Sequence, residues 1–177
     1  MRLIALLATA LVAGCASTSS VVLPAASQGH AQVAVLPLEG PLGAQASDLI
    51  SEAFAQKGVA VIERAKAVQY LAIDTDLSGT SPDAVQSFSK LGNTLGVRFL
   101  FIGTVSAERG PLYSFPHVNM TLRLIDVHSG ATRWLGHYGN SLWTSAISQQ
   151  GDLQRGADDI TDEFIKSGGA ALIVKGS

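Results

Sequence analysis

One cysteine, four histidines and two acidic clusters are the side chains with chemistry to offer. His30, His117, His128 and His137 are scattered, and no pair has the short helical spacing that brings two imidazoles onto one metal ion. No metal site is expected. Asp74-Thr75-Asp76 lacks the glycine turn and terminal glutamate of a calcium loop, so it reads as surface acid. Asp158, Asp159, Asp162 and Glu163 fall on the solvent face of a predicted helix, where charges are routinely solvated. Glu63-Arg64, directly after a strand, suits a structural ion pair better than a catalytic one. The chain has no GxGxxG, no GxxxxGK[ST] and no GxSxG, which removes the usual phosphate cradles and the hydrolase nucleophile elbow. The reading is a non-enzymatic protein without a cofactor.

Cys15 carries a different chemistry. Met1-Arg2 gives a positive start, and Leu3 to Val12 is an apolar run. That run is far short of the roughly 20 residues a bilayer-spanning helix needs, but it suits a secretory signal. It ends in Val12-Ala13-Gly14-Cys15, and the chain then turns polar at Ser17-Thr18-Ser19-Ser20. This resembles a bacterial lipoprotein signal, which implies cleavage after residue 14 and lipid on Cys15. Two or more acyl chains anchor a protein stably where one binds only marginally. Ala16, rather than Asp, follows the cysteine, and the resemblance then implies sorting to the outer membrane. Residues 15–32 read as the lipidated cysteine and a short tether. Its 17 residues, 16–32, reach at most about 60 Å when fully extended.

Composition sets the outer bounds. At 177 residues with 47% apolar side chains, one domain with a real core is expected over residues 33–177. Charged residues make up only 15% and the net charge is −2, so no basic stripe is available for nucleic acid. One cysteine cannot form an intramolecular disulfide.

Strand and helix signals alternate through that domain. Gln32 to Leu38 is a β-branched apolar run closed by Glu39-Gly40-Pro41, which predicts a strand and a turn. Ala46, Leu49, Ile50, Ala53 and Phe54 repeat at helical spacing and Gly58 stands at the stop. Val59 to Ile62 reads as a strand and Glu63 to Ile73 as a helix. Ser81-Pro82-Asp83 starts another helix, with Val85, Phe88, Leu91 and Leu95 as its buried stripe and Gly96 as its end. Val97 to Val105 is almost continuously apolar, as in a strand buried on both faces. Val118 to Leu124 alternates, His128-Ser129-Gly130 turns, and Thr132 to Leu135 returns. Asp152 to Ile165 predicts a helix and Ala171 to Val174 a last strand. The fold class is an α/β (α+β) sandwich: a mixed sheet, parallel at its start and antiparallel after Val105, covered by helices. Trp134 on a strand reads as core. Trp143, in the 139–151 segment, and Tyr113 and Phe115, in the 106–117 segment, are candidate interface anchors.

Several segments, in order, resemble the CsgG-type family of bacterial outer-membrane lipoproteins. They are Val33-Ala34-Val35-Leu36-Pro37-Leu38, Val61-Ile62-Glu63-Arg64, Leu77-Ser78-Gly79, Leu91-Gly92 through Gly103-Thr104-Val105, and Leu122-Arg123-Leu124-Ile125-Asp126-Val127 with Ser129-Gly130 and Trp134. The resemblance implies an anticodon-binding-domain-like fold facing the periplasm and an assembly or interaction role in curli-, holdfast- or flagellum-type biogenesis. It also implies a homo-oligomeric ring. The family's channel gives two hairpins per subunit to a membrane barrel, and each needs about 20 residues plus a turn. Ser106–His117 and Gly139–Gly151 are both too short for that. Two other readings stay open: an activator of a penicillin-binding protein of the LpoB type, whose linker is typically longer than this tether, and an accessory ring around a pore made by another subunit. A third, an envelope enzyme with an unremarkable site, has no motif in its favour.

Overall fold

The computed structural model describes residues 33–62, 82–109, 116–140 and 148–174. Five strands form one sheet in the order β2-β1-β3-β4-β5. They are β1 (Val33–Val35), β2 (Val61–Ile62), β3 (Phe99–Arg109), β4 (Pro116–Asp126) and β5 (Thr132–Gly139). β1 runs parallel to β2 and β3, whereas β3, β4 and β5 are antiparallel, so the mixed sheet expected from the sequence is present. Among the described residues four helices lie on it: α1 (Gly43–Gln56), α2 (Pro82–Leu95), α3 (Gln149–Lys166) and α4 (Gly169–Val174).

Alternation along the strands divides the core in two. Val33, Val35, Phe99 and Phe101 point to the side of α1 and α3, where Phe54 stacks on Phe101 at 4.8 Å and Phe164 meets both rings edge-on. Ala34, Leu36 and Leu100 point the other way, against Phe88 and Leu91 of α2. β1 is therefore buried on both faces, as its uninterrupted apolar run requires. β3 is buried on both faces only from Phe99 to Ile102; beyond that Thr104, Ser106 and Glu108 are exposed on the α2 side.

Glycine ends both α1 and α2 in the same way. Gly58 (φ +77°) and Gly96 (φ +68°) take the left-handed conformation. The N–H groups that follow, of Val59 and Val97, close back onto Phe54 O and Gly92 O at 3.0 and 2.9 Å. α1 begins without a side-chain cap. Instead Ser47, fully buried, binds the start of the helix to the end of β1. Its Oγ accepts from Leu38 N–H (2.8 Å) and lies within donating distance of Leu36 O (3.0 Å) and Gly43 O (2.8 Å).

Three expectations change. Ala171 to Val174 is helical in α4, where a strand was expected. Gly168 (φ +82°) turns the chain sharply after α3, and Ile173 and Leu172 then reach the core from a helical turn. A short apolar run satisfies either geometry. Half of the segment 106–117 is strand, because the β3–β4 ladder pairs without interruption from Phe99↔Asp126 to Arg109↔Pro116 and leaves residues 110–115 as connection. β1 and β2 are shorter than their apolar runs. The helix expected at 63–73, and Ser81 as a cap, lie outside the described residues.

Candidate interaction surface

Cys15, Tyr113, Phe115 and Trp143 all lie outside the described residues, as do His30, Glu63, Arg64, Asp74 and Asp76. The remaining candidates are dispersed. His117 faces Glu108 across the β3–β4 ladder, His128 is exposed in the β4–β5 turn, and His137 sits on β5 with Nδ1 3.5 Å from Thr121 Oγ1. Among the described residues no group of three His, Cys, Asp or Glu side chains could hold a metal ion.

The acids of α3 lie on its outer side, as expected, with Asp159 and Glu163 exposed and Asp158 and Asp162 half-buried. Asp162 pairs with Lys57 of α1, and that hydrogen bond, with the Lys57 and Lys166 charges, holds its carboxyl below the usual range. Trp134 belongs to the core wall: its ring meets Phe164 (5.1 Å, 83°) and Phe101 (6.3 Å, 87°) edge-on, and its Nε1–H donates to Ser167 Oγ at 3.0 Å.

The polar groups that the fold buries were not among the candidate site residues, although Asp126 stands in a segment that carries the resemblance. Asp126, at the end of β4, accepts from the N–H groups of His128 (3.1 Å) and Ser129 (3.2 Å), with Arg98 at 3.8 Å. Burial raises its pKa, but the two backbone donors, the Ser129 hydroxyl and the Arg98 charge outweigh it, and the net shift is downward. Asp152 and Thr161 are buried in α3, and Tyr138 of β5 packs against the same helix, at whose Gly156 an added Cβ would lie 2.7 Å from the ring. Burial, then the Asp152 charge, pushes the Tyr138 phenol upward. Its hydroxyl has no hydrogen-bond partner among the described residues.

What the elements do assemble is a surface. Among the described residues, α2 covers only the β1 end of its side of the sheet, and no described element lies over the outer parts of β3, β4 and β5. Ladder registry lines up three rows across that open face: Ile102, Arg123 and Leu135; Thr104, Thr121 and His137; Ser106, Asn119 and Gly139. Leu135 is 60% exposed and is the exposed large hydrophobic side chain of the described residues. β5 is also an edge. The Asn140 N–H donates to Val118 O at 3.2 Å, so by antiparallel alternation the backbone groups of Trp134, Gly136 and Tyr138 face β4. Those of Leu135, His137 and Gly139 point away from the sheet.

Comparison with known proteins places the fold. A variant of the PelC dodecamer from Paraburkholderia phytofirmans aligns at a TM-score of 0.51 and 18% identity, over 73% of this chain and 84% of that one. Lipoprotein GNA1162 from Neisseria meningitidis aligns at 0.46 and 19%, over 70% and 90%. The LpoB C-terminal domain from Salmonella enterica aligns at 0.44 and 13%, over 66% and 87%. No protein-family model matches the chain, and no curated protein does. At these identities the likeness is one of fold. No helix among the described residues is long and apolar enough to cross a membrane.

Proposed function

We propose that this chain is a lipid-anchored outer-membrane lipoprotein whose periplasmic domain is a non-enzymatic assembly module of the CsgG type, lacking the membrane-spanning hairpins. The observation that carries the proposal is the open three-stranded face with its free β5 edge, on a fold that a dodecamer-forming protein also uses. A face of this kind gives a partner shape and hydrogen-bonding groups. The connections at 110–115 and 140–148 are shorter than the about 20 residues a spanning hairpin needs, which supports a module without its own pore. Such a module serves secretion or surface-structure biogenesis by organising other envelope components.

The test is the mass of the mature protein, extracted from outer membranes in mild detergent and measured by light scattering. A discrete oligomer is expected. A monomer that captures a penicillin-binding protein from cross-linked cells would instead establish the activator reading, whose LpoB representatives share the fold.

A further inference from the structure

β5 is an edge without the usual protection. It is 8 residues long and stands last in the described sheet, beyond β4. Leu135, His137 and Gly139 direct their backbone N–H and C=O groups outward, and among the described residues no strand takes them up. Edge strands are ordinarily blunted by charges, proline or a bulge. From Leu135 to Gly139 there is no lysine, arginine, aspartate, glutamate or proline, and the register shift of the β4–β5 ladder falls before this stretch, between Leu124 and Ile125. The same stretch carries the exposed Leu135.

We propose that β5 pairs with β5 of a second copy, antiparallel about a two-fold axis at His137, so that the two sheets become one. This rests on the assembly reading above and gives it an interface. Register selects a second copy as the occupant. Of the two-fold registers open to β5, only the one centred on His137 sets the three outward residues against one another. Leu135 then faces the second copy's Gly139, His137 faces its own counterpart, and Gly139 faces Leu135, with two hydrogen bonds exchanged at each pair. Side chains opposite each other in a ladder share a face, so Leu135 lies over a position that has no side chain of its own. A Cβ at Gly139 would stand 3.0 Å from Asn119 Oδ1 and 3.4 Å from His137 Nε2, so these two groups flank the leucine.

The helical layer accommodates the same pairing. α3 lies over β4 and β5, with Gly156 against Met120 and Tyr138. Adjacent strands about 4.8 Å apart then bring the two α3 helices about 10 Å apart, an ordinary packing distance. Arg155 and Asp159 both act on the Tyr138 phenol and so lie on the β5 side of α3, where the two copies together contribute a pair of cations and a pair of anions. Glu163 lies further from the axis, towards Trp134.

A residue on a two-fold axis meets itself, which makes His137 the test. Lipidated mature protein in mild detergent is measured by light scattering for mass and by circular dichroism for folding. The wild type is expected to be a dimer. His137→Lys alone and His137→Glu alone each set like charges directly opposite each other and are expected to give folded monomers. An equal mixture of the two sets lysine against glutamate and is expected to give a dimer with one of each, a pattern that a head-to-tail contact through His137 would not produce. Amide hydrogen exchange at Leu135, His137 and Gly139 should be slow in the wild type and fast in either variant alone. A larger wild-type mass, a folded variant that keeps the wild-type mass, or a mixture that stays monomeric overturns this interface and leaves the assembly reading standing. Fast exchange at those three amides in the wild type overturns it whatever the variants do. A wild-type monomer overturns it too, and capture of an envelope partner then decides the assembly reading separately.

Discussion

Ser47 holds the junction between β1 and α1. Ser47→Ala would leave the Leu38 N–H without an acceptor in a fully buried place. Abandoning a buried polar group costs about 1–3 kcal/mol, so the unfolding free energy of this variant from urea denaturation should fall by that much, and restoring a hydroxyl with Ser47→Thr should recover part of it. Nothing in the sequence marks Ser47 apart from Ser51 one turn later, because its role depends on β1 ending against α1. Asp126 makes a pH-dependent contribution. Its folded pKa is lowered, so it stabilises the protein above its unfolded value of about 3.9, and that stability is lost as pH falls through the folded pKa. Asp126→Asn should therefore be less stable than wild type at pH 7, and the gap should narrow as pH falls below about 3.9, by urea unfolding across that range. The aromatic anchors Tyr113, Phe115 and Trp143 had a sequence signal only as aromatics in presumed loops. Trp134, read as core from its strand position, is half-buried against Phe101 and Phe164.

The elements separate two costs that glycine substitutions usually mix. At Gly58 an added Cβ meets nothing within 4 Å, so Gly58→Ala carries only the left-handed penalty, about 1–2 kcal/mol. At Gly103 a Cβ would sit 1.9 Å from the Thr121 carbonyl oxygen of the paired strand, which cannot swing aside. Gly103→Ala should cost more than Gly58→Ala and shift the β3–β4 ladder, which thermal unfolding of the two variants would rank. Gly58 and Gly96 were legible as helix stops because they follow periodic apolar stripes, and α1, α2, β4 and α3 were legible for the same reason. The end of the chain was not: Ala171-Leu172-Ile173-Val174 has no period, and Phe164, against which Gly169 packs, is distant information. The extension of β3 and β4 was missed for the opposite cause. Ser106, Glu108, His117 and Asn119 are polar, and they pair because the ladder is already in register from Phe99.

For the whole molecule, anchorage and assembly are separate properties with separate tests. Cys15→Ser removes the proposed lipid site, and the protein should move from the membrane fraction to the soluble periplasm, as judged by fractionation, while its domain unfolds at the same temperature. The order of the strands was readable in outline, since a parallel start followed by hairpins leaves few alternatives. The open face was not readable, because how far α2 extends over the sheet is decided by packing and not by the apolar pattern of any strand. The β5 edge has a consequence for how growth would stop. Two copies that joined β5 to β5 would each spend their long edge, since the opposite border of the sheet is the two-residue strand β2. Edge pairing would thus be a terminator that counts to two.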